Sequence, residues 1–403
     1  MKPGHLLAFT LAAGVALAAC DQLTTVQPPD GDVFDAPVGG LTTSELAAFV
    51  RGDVEFGRPF SPNAGLGPIF NDVSCAACHS GDGRGQLRNA LHRIGDSSND
   101  FERAIGGPQI QTKAIPGATA EEIPSGKPVS VRLPPPVFGA GLIEAIPESA
   151  ILANVDSLDA NGDGISGRPN WVVAASFVPS TESGAGPAPR LGRFGRKAQN
   201  PVLFQQVVEA YLQDMGITSP FLPLENRNPL MGTPVEAVDR APDPEISESI
   251  VHAVSFYVRA LAPPAPGADT PRRLEGRTLF SQIQCVRCHV PEFQTGTSSV
   301  AALSNKPVQL YSDLLLHDMG DALADNRPDG QASGREWRTT PLWGLRLISQ
   351  FLNGQTLLMH DGRARTIEEA ILLHGGEALA SRNAFAGLTA AQKEALIDFV
   401  GSR

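Results

Sequence analysis

Two copies of one pentapeptide decide how this chain is organised: Cys75-Ala76-Ala77-Cys78-His79 and Cys285-Val286-Arg287-Cys288-His289. Cys-x-x-Cys-His is the attachment signature of c-type haem, in which both thiols form thioethers and the adjacent His is the proximal iron ligand. A zinc ribbon would place its Cys-x-x-Cys pairs roughly 15–20 residues apart, whereas these lie in opposite halves of the chain. A thioredoxin-like redox pair would not need the His. The sequence therefore predicts two covalently bound c-type haems, with His79 and His289 as iron ligands.

Cysteine usage and charge narrow the class of protein further. Four of the five Cys lie in the two motifs and the fifth is Cys20, so none remains for a disulfide or a catalytic thiol. The formal net charge of −11 argues against binding to nucleic acid or to an anionic membrane surface. It would suit a basic redox partner.

The N-terminus has the features of an export signal. Residues 1–19 combine Lys2, an apolar run over 6–16 and a small-residue cleavage region. Leu17-Ala18-Ala19-Cys20 resembles the bacterial lipobox, in which Cys20 is lipidated and becomes the mature N-terminus. The alternative is a plain secretory signal cut nearby, and the apolar run is too short to span a membrane. We therefore expect an exported, periplasm-facing lipoprotein, held at a bacterial membrane by its N-terminal lipid only, with residues 20–40 as a flexible tether.

Each half repeats one plan of helices around its haem motif. The capping box Thr42-Thr43-Ser44-Glu45 opens a helix in the first half, and an amphipathic helix capped at Asp243-Pro244 closes it. Pro263-Pro264 stops that helix. Thr389 and Gln392 form a second capping box that opens the last helix of the chain. A helix, a haem motif and a closing helix are the plan of a cytochrome c domain.

This repeat predicts the fold class and the domain organisation. We expect a mostly α protein of two cytochrome c-like domains, over residues 41–265 and 271–403. The first would be enlarged by long Gly/Pro-rich loop insertions. Phe70 precedes its haem motif by five residues, as Phe280 precedes the other, and this spacing predicts that the two are equivalent.

The pattern Pro-x-aromatic-Gly occurs twice, as Pro136-Val137-Phe138-Gly139 and as Pro341-Leu342-Trp343-Gly344. Three residues near these two segments are candidates for chemistry or haem binding. Glu144 lies in the apolar stretch Gly-Leu-Ile-Glu-Ala-Ile-Pro, where apolar surroundings would raise its pKa and suit it to proton transfer. The alternative is a loop carboxylate that caps a helix. Arg132 and Arg338 lie near the start of the two segments, and we expect both to bind haem propionates unless they lie at the surface.

One loop has the pattern of a calcium site. Asp159, Asn161 and Asp163 provide oxygen atoms at positions one, three and five, with Gly at six. Position twelve is Asn170, where the full motif has a bidentate Glu. The alternatives are a calcium ion and a plain Asp/Gly-rich turn.

The second half contains a set of motifs that closely resembles the bacterial di-haem oxidoreductases described as peroxidases. The first half agrees, and the resemblance runs from about residue 40 to the end. These motifs are Tyr311-Ser312-Asp313-Leu314-Leu315-Leu316-His317-Asp318-Met319-Gly320, Trp337-Arg338-Thr339-Thr340-Pro341-Leu342-Trp343-Gly344, His360-Asp361-Gly362-Arg363, His374-Gly375-Gly376-Glu377, Pro135-Pro136-Val137-Phe138-Gly139 and Leu191-Gly192-Arg193-Phe194-Gly195. The family is similar to di-haem cytochrome c peroxidases and to methylamine-utilisation di-haem enzymes. It often has Trp after Arg-Phe-Gly, where this chain has Arg196.

The resemblance also suggests second ligands for the two irons. In the relatives the distal Met or Tyr of the second haem lies fourteen residues after the His of His-Asp-Gly, and here that position is His374. Met319 and Met359 are the rivals. For the first haem the choice is between His92, at a distance comparable to a displaceable His of the relatives, and no protein ligand.

The function implied by the resemblance is reduction of hydrogen peroxide, with electrons from a small cytochrome c or a cupredoxin. Glu144 and His92 would be the catalytic residues at the first haem. Two alternatives stay open, namely a pure electron-transfer di-haem cytochrome and a haem oxidase acting on an organic or protein substrate.

Overall fold

The computed structural model describes residues 33–79, 81, 83–95 and 104–403. The predicted signal peptide, Cys20 and most of the predicted tether lie outside these residues. Over these residues the structure is 35% helical and 11% strand, so helices predominate as expected, but the fold is mixed rather than built of helices and loops alone. None of the helices in the described ranges is both long and apolar enough to cross a membrane.

A helix opens and a helix closes each half, and others lie between them. In chain order they are α1 (Thr43–Gly57), α2 (Cys75–Cys78), α3 (Ala140–Ala145), α4 (Glu148–Leu152), α5 (Leu203–Met215), α6 (Glu248–Ala260), α7 (Pro271–Gln282), α8 (Ile348–Phe351), α9 (Ile367–Leu373), α10 (Leu379–Ala386) and α11 (Ala390–Gly401). The capping boxes at Thr42 and Thr389 are both present as predicted. The closing helix of the first half begins at Glu248 rather than at Pro244, since Ser247 is its N-cap residue.

The strands are short and form small antiparallel sheets between the helices. They are β1 (Ile69–Phe70), β2 (Leu91–Ile94), β3 (Gln109–Ile110), β4 (Lys113–Ala114), β5 (Val129–Arg132), β6 (Trp171–Val172), β7 (Arg190–Leu191), β8 (Phe293–Gln294), β9 (Pro307–Val308), β10 (Leu316–Asp318) and β11 (Glu336–Arg338). β2 is the centre of a three-stranded sheet of order β3-β2-β5, and the other strands pair as β1-β4, β6-β7, β8-β9 and β10-β11. Most of these strands lie in the predicted Gly/Pro-rich insertions, which therefore have regular structure of their own.

Each half is built around a pair of helices that cross at a glycine. α1 packs on α6, and a Cβ atom at Gly52 would lie 2.2 Å from the carbonyl oxygen of Ala253. α7 packs on α11, and a Cβ atom at Gly276 would lie 2.1 Å from the carbonyl oxygen of Ala395. The same close approach in both halves indicates one repeated helix-pair unit.

The aromatic residue four positions after each glycine corrects the predicted equivalence of Phe70 and Phe280. The ring of Phe56 lies 6.1 Å from that of His79, and the ring of Phe280 lies 6.1 Å from that of His289. Phe70 instead lies in β1. The residues equivalent to Phe280 and its helix are therefore Phe56 and α1. The first half has extra chain before its haem motif as well as after it, and sequence spacing alone hid this insertion.

Gly52→Val is expected to destabilise the protein by about 3 kcal/mol or more, because overpacking of this kind costs 1–3 kcal/mol even where neighbours can shift and here the obstacle is backbone. Gly276→Val should have a similar effect. Gly57→Ala, at the end of the same helix as Gly52, is the matched control because its added Cβ atom meets nothing within 4 Å. Thermal unfolding measures all three, and an unchanged melting temperature for Gly52→Val would contradict this packing.

The predicted tether ends earlier than residue 40. Phe34, Ala36 and Val38 are buried, and the Val38 amide donates to the Ala260 carbonyl at 2.7 Å. The Ala262 amide donates to the Ala36 carbonyl at 2.8 Å. Residues 34–38 therefore pack against the end of α6 and the residues just after it, so the tether predicted for residues 20–40 does not include them.

The two Pro-x-aromatic-Gly motifs pack against each other where the halves meet. A Cβ atom at Gly139 would lie 2.5 Å from the ring of Trp343, and one at Gly344 would lie 2.5 Å from the ring of Phe138. Both glycines have positive φ, 73° and 78°, so the backbone also requires glycine there. The largest hydrophobic cluster draws residues from both predicted domains. The domain boundary at 265–271 stays a prediction, since the two halves share this core.

Candidate functional site

The first haem motif faces a cavity of about 690 Å³, which is within the usual range for cofactor sites. Cys75, Cys78 and His79 line it. Ser74 caps the short helix α2 by accepting from the Ala77 amide at 3.1 Å, which sets the turn that presents the motif. The Nδ1 atom of His79 donates to the Gly83 carbonyl at 3.4 Å, and burial lowers the pKa of His79 to about 4. His79 is therefore a neutral imidazole at pH 7, the form that binds a metal.

The second haem motif faces a smaller cavity of about 220 Å³ that is also lined by His374. The Nδ1 atom of His289 donates to the Tyr311 carbonyl at 2.8 Å, and the Nδ1 atom of His374 donates to the Ala370 carbonyl at 2.7 Å. A hydrogen bond at Nδ1 fixes the tautomer and assigns Nε2 as the nitrogen available to a metal. The structure thus brings His374 to the same cavity as His289, and each imidazole is oriented by a hydrogen bond from Nδ1 to a backbone carbonyl.

The other candidate ligands also line the second cavity. Met319 and Met359, the rivals of His374, are both among the lining residues. His317 cannot offer a nitrogen, because Nε2 is 2.8 Å from Asp313 and Nδ1 is 2.7 Å from Glu377. His360 stacks on Trp337 with ring centroids 3.7 Å apart. Geometry therefore favours His374 over the other two histidines, and leaves the methionines as rivals.

His92 does not face the first cavity. It lies in the middle of β2, where successive side chains point to opposite faces. Its neighbours Leu91 and Arg93 line the cavity and His92 does not. Its Nδ1 atom is buried without a hydrogen-bond partner among the described residues, and burial lowers its pKa. The strand register therefore places the predicted distal His on the wrong face.

Glu144 is held in an ion-pair network outside the lining of either cavity. Its Oε2 atom accepts from Nε of Arg259 at 2.6 Å, and Oε1 is 3.3 Å from the Leu203 amide. Arg259 also donates to Glu182 at 2.6 Å. This placement makes Glu144 a partner of α6 rather than an acid–base group at the first cavity.

A candidate acid–base group that the sequence analysis did not single out is Asp214, near the end of α5. It lines the first cavity, and burial raises its pKa to about 6, above the usual 3.8. The side-chain amide of Gln109 donates to its carboxylate. Gln206, Glu209 and Gln213 of the same helix also line the cavity. The sequence contains a pattern that indicates this polar face, because these polar residues recur with helical spacing along an otherwise apolar helix.

Several arginines that line the two cavities have buried N–H groups that could bind the propionates of a haem. Arg132 and Arg93 line the first cavity, and within the described part of the chain Nη1 of Arg132 and Nε of Arg93 are buried without a hydrogen-bond partner. Nε of Arg84, which lines the second cavity, is also buried without a hydrogen-bond partner among the described residues. Buried unpaired guanidinium N–H groups are costly, and an anion such as a haem propionate would satisfy them. Arg338 lines both cavities and donates to the Gly195 carbonyl at 3.1 Å. The two predicted propionate partners, Arg132 and Arg338, thus both line the first cavity, where Arg132 also pairs with Asp325 and Asp329, and their role toward propionates stays a prediction.

Six residues line both cavities and therefore lie between the two haem motifs. They are Pro136, Arg196, Arg338, Thr340, Pro341 and Trp343. The guanidinium of Arg196 donates to the Leu133 carbonyl at 2.8 Å, and burial together with neighbouring arginines lowers its pKa. At the position where the family that the sequence resembles often has Trp, this chain thus has the buried cation Arg196. The aromatic side chain between the cavities is instead that of Trp343.

The predicted calcium loop uses its own oxygen atoms for turn hydrogen bonds. Asp159 accepts from the Gly164 amide, Asn161 from the Asp163 amide, and Asp163 from the Ile165 amide. Asn170, at the twelfth position, instead donates to backbone carbonyls elsewhere. Within the described ranges the loop is not among the carboxylate groups close enough to share an ion, and the plain-turn alternative accounts for its contacts.

Within the described chain the four motif cysteines form no disulfide, and each pair lines one of the two cavities. Burial raises the pKa of Cys78 and Cys288, and that of Cys285 to about 12. Thiolate is the nucleophilic form, so such thiols are poor candidates for thiol–disulfide chemistry. Their location on the two cavities fits attachment to haem instead.

Comparison with known proteins agrees with these two sites. The family model described as "Di-haem oxidoreductase, putative peroxidase" matches residues 18–94 and 125–403. No curated protein matches the sequence. Among solved structures, hydrazine synthase of Kuenenia stuttgartiensis has a TM-score of 0.39 at 13% identity, with 100% of both chains covered. A MauG-like protein associated with microbial copper homeostasis has a TM-score of 0.30 at 15% identity, covering 66% of this chain and 88% of that one.

Proposed function

We propose that this chain, which belongs to the di-haem oxidoreductase family, reduces hydrogen peroxide to water with electrons from a small cytochrome c or cupredoxin. The observation that supports this most is the difference between the two cavities. Of the described histidines, His79 alone lines the first cavity, which is also lined by Asp214, an aspartate whose pKa burial raises to about 6. The second cavity has two imidazoles, His289 and His374, whose Nδ1 atoms each donate to a backbone carbonyl. One site is thus suited to binding a small oxidant and the other to passing electrons.

Two c-type haems, attached through Cys75 and Cys78 and through Cys285 and Cys288, would supply the iron that binds peroxide and conducts electrons. Each peroxide takes up two electrons and two protons, its O–O bond breaks, and two waters leave. The donor protein supplies the electrons. Arg93, Arg132 and Arg338 would hold the propionates and so fix the orientation of each group.

Proton transfer at the first cavity is assigned to Asp214. A carboxyl with a pKa near 6 is close to the pH at which it must work, so it can accept a proton from bound peroxide and return it to the leaving oxygen. The Gln109 amide, which donates to Asp214, would hold the carboxylate in place. Apolar residues such as Val254 and Val258 also line this cavity and limit the access of water.

Electrons would pass between the sites through the shared lining. Trp343 lines both cavities and packs against Gly139 of the first half. We further propose that the mature protein is exported and lipidated at Cys20, and that its net negative charge favours a basic donor.

Spectroscopy followed by turnover tests this function. The ferric and half-reduced proteins should show one low-spin haem and one that becomes high-spin or binds small ligands, and peroxide should be consumed when reduced cytochrome c is added. Two low-spin haems in every redox state, without peroxide consumption, would leave electron transfer as the function. Peroxide-dependent oxidation of an organic or protein substrate without donor oxidation would favour the oxidase.

A further inference from the structure

A buried group of three charged residues lies beside the second cavity and has no part in the proposed chemistry. His317 of β10 lies between Asp313 and Glu377, with Nε2 2.8 Å from one carboxylate and Nδ1 2.7 Å from the other. The His317 side chain is 3% exposed, and those of Asp313 and Glu377 are 1% and 12% exposed. We call these three residues the 313–317–377 clamp. Their mutual attraction raises the pKa of His317 and lowers that of Glu377 to about 2, so the clamp contains two carboxylates and an imidazolium.

One end of the clamp is fixed to the second haem motif. The Asp313 amide donates to the Cys288 carbonyl at 2.8 Å, and the Asp313 carboxylate also accepts from the Leu315 amide at 3.0 Å. Nδ1 of His317 lies 3.6 Å from Sγ of Cys288. This end therefore sits directly against the residue that precedes His289.

The other end is fixed to the loop that follows His374. Glu377 accepts four hydrogen bonds in all, including those from the Ser166 hydroxyl at 2.7 Å and the Asp318 amide at 3.1 Å. The loop also packs backbone to backbone on the end of β10. A Cβ atom at Gly376 would lie 2.1 Å from the Asp318 carbonyl oxygen, and one at Gly375 would lie 2.9 Å from that of Met319. The clamp thus connects the two sides of the second cavity by direct contacts.

We infer that the 313–317–377 clamp is a positioning device that fixes the separation of His289 and His374. This inference rests on the proposed ligation of the second haem by both imidazoles. The short helix α9 packs on the core only through partly buried side chains, and three of them, Ile367, Ala370 and Ile371, also line the second cavity. The clamp adds to the support of His374, because a buried imidazolium between two carboxylates resists displacement of either partner. Removing its charge would let the loop move and weaken the bond from His374.

The test compares three variants of the haem-loaded protein. His317→Gln leaves two buried carboxylates without their cation, and Glu377→Gln removes the carboxylate that holds the loop. Glu336→Gln is the control: Glu336 lies on β11 beside β10 and forms an ion pair with Arg168, 2.7 Å apart, but no hydrogen bond or ion pair among the described residues joins it to Cys288 or to the 374–377 loop. Thermal melts, low-spin electron paramagnetic resonance and carbon monoxide binding to the reduced protein are measured for each.

We expect both clamp variants to convert a fraction of the second haem to high spin and to let it bind carbon monoxide. The control should lose thermal stability without either change. An unchanged low-spin signal and no carbon monoxide binding in the clamp variants would overturn the inference, as would equal spectral changes in the control. If His317→Gln does not accumulate, Glu377→Gln decides the question.

His374→Ala separates this inference from the function on which it rests. It should make the second haem wholly high-spin. If it leaves that haem low-spin, the ligand assignment is wrong and the clamp loses its purpose. If it gives high spin while the clamp variants keep the wild-type spectrum, only the clamp is refuted.

Discussion

Asp214→Asn is expected to lower the peroxidase kcat/KM by about 10²–10⁴-fold, the usual contribution of a positioned acid–base group. Asn has nearly the same shape and can still bond to Gln109, but it cannot accept a proton. The first cavity should keep its haem, because Asp214 is not among the attachment residues. The measurement is steady-state turnover with reduced cytochrome c at saturating donor, together with the haem spectrum.

The pH dependence of kcat/KM tests the same role of Asp214. Below pH 6 the Asp214 carboxyl is mostly protonated, because burial raises its pKa to about 6, and it cannot take a proton from peroxide. The wild-type kcat/KM should therefore rise with pH to a plateau above that value, and this step should be absent in Asp214→Asn. Glu144→Gln is the direct comparison. Loss of turnover in Glu144→Gln with normal turnover in Asp214→Asn would restore the sequence-based candidate and contradict the structure.

Removal of one haem at a time should abolish peroxidase turnover in two different ways. Without Cys75 and Cys78, replaced by Ser, the protein should bind one haem covalently at the second motif, accept electrons from the donor and leave peroxide unreduced. Without Cys285 and Cys288, it should still bind peroxide at the first motif but should not be reduced by the donor.

Stopped-flow spectra of the two double variants separate these failures. The remaining haem of each variant should keep its wild-type spectrum, which controls for loss of the fold. If the variant without Cys75 and Cys78 still reduced peroxide, the assignment of the first cavity as the reaction site would be wrong.

Local sequence predicted the motifs that line the two cavities and the caps of two helices. The Cys-x-x-Cys-His motifs and the capping boxes at Thr42 and Thr389 are set by neighbouring residues, and the structure has all of them where expected. His374 came from the resemblance, which implies a distal ligand fourteen residues after His360, and the structure places it on the second cavity at the end of the capped helix α9.

The misplaced candidates depend on contacts that sequence spacing does not reveal. His92 faces away from the first cavity because of the register of β2 with its neighbours. Glu144 pairs with Arg259, which arrives from a helix far along the chain. Phe56 replaces Phe70 as the partner of His79 because an insertion separates α1 from the haem motif. In each case tertiary packing, rather than local pattern, decides the position.

The central claim is that this chain binds two haems covalently and that they differ in ligation. Intact mass of the exported protein, measured under denaturing conditions and read with its ferric spectrum, tests it most directly. The account predicts a mass increased by two haems per chain, with one haem low-spin through His289 and His374. A chain without bound haem, with a single haem, or with two haems of identical ligation would contradict it.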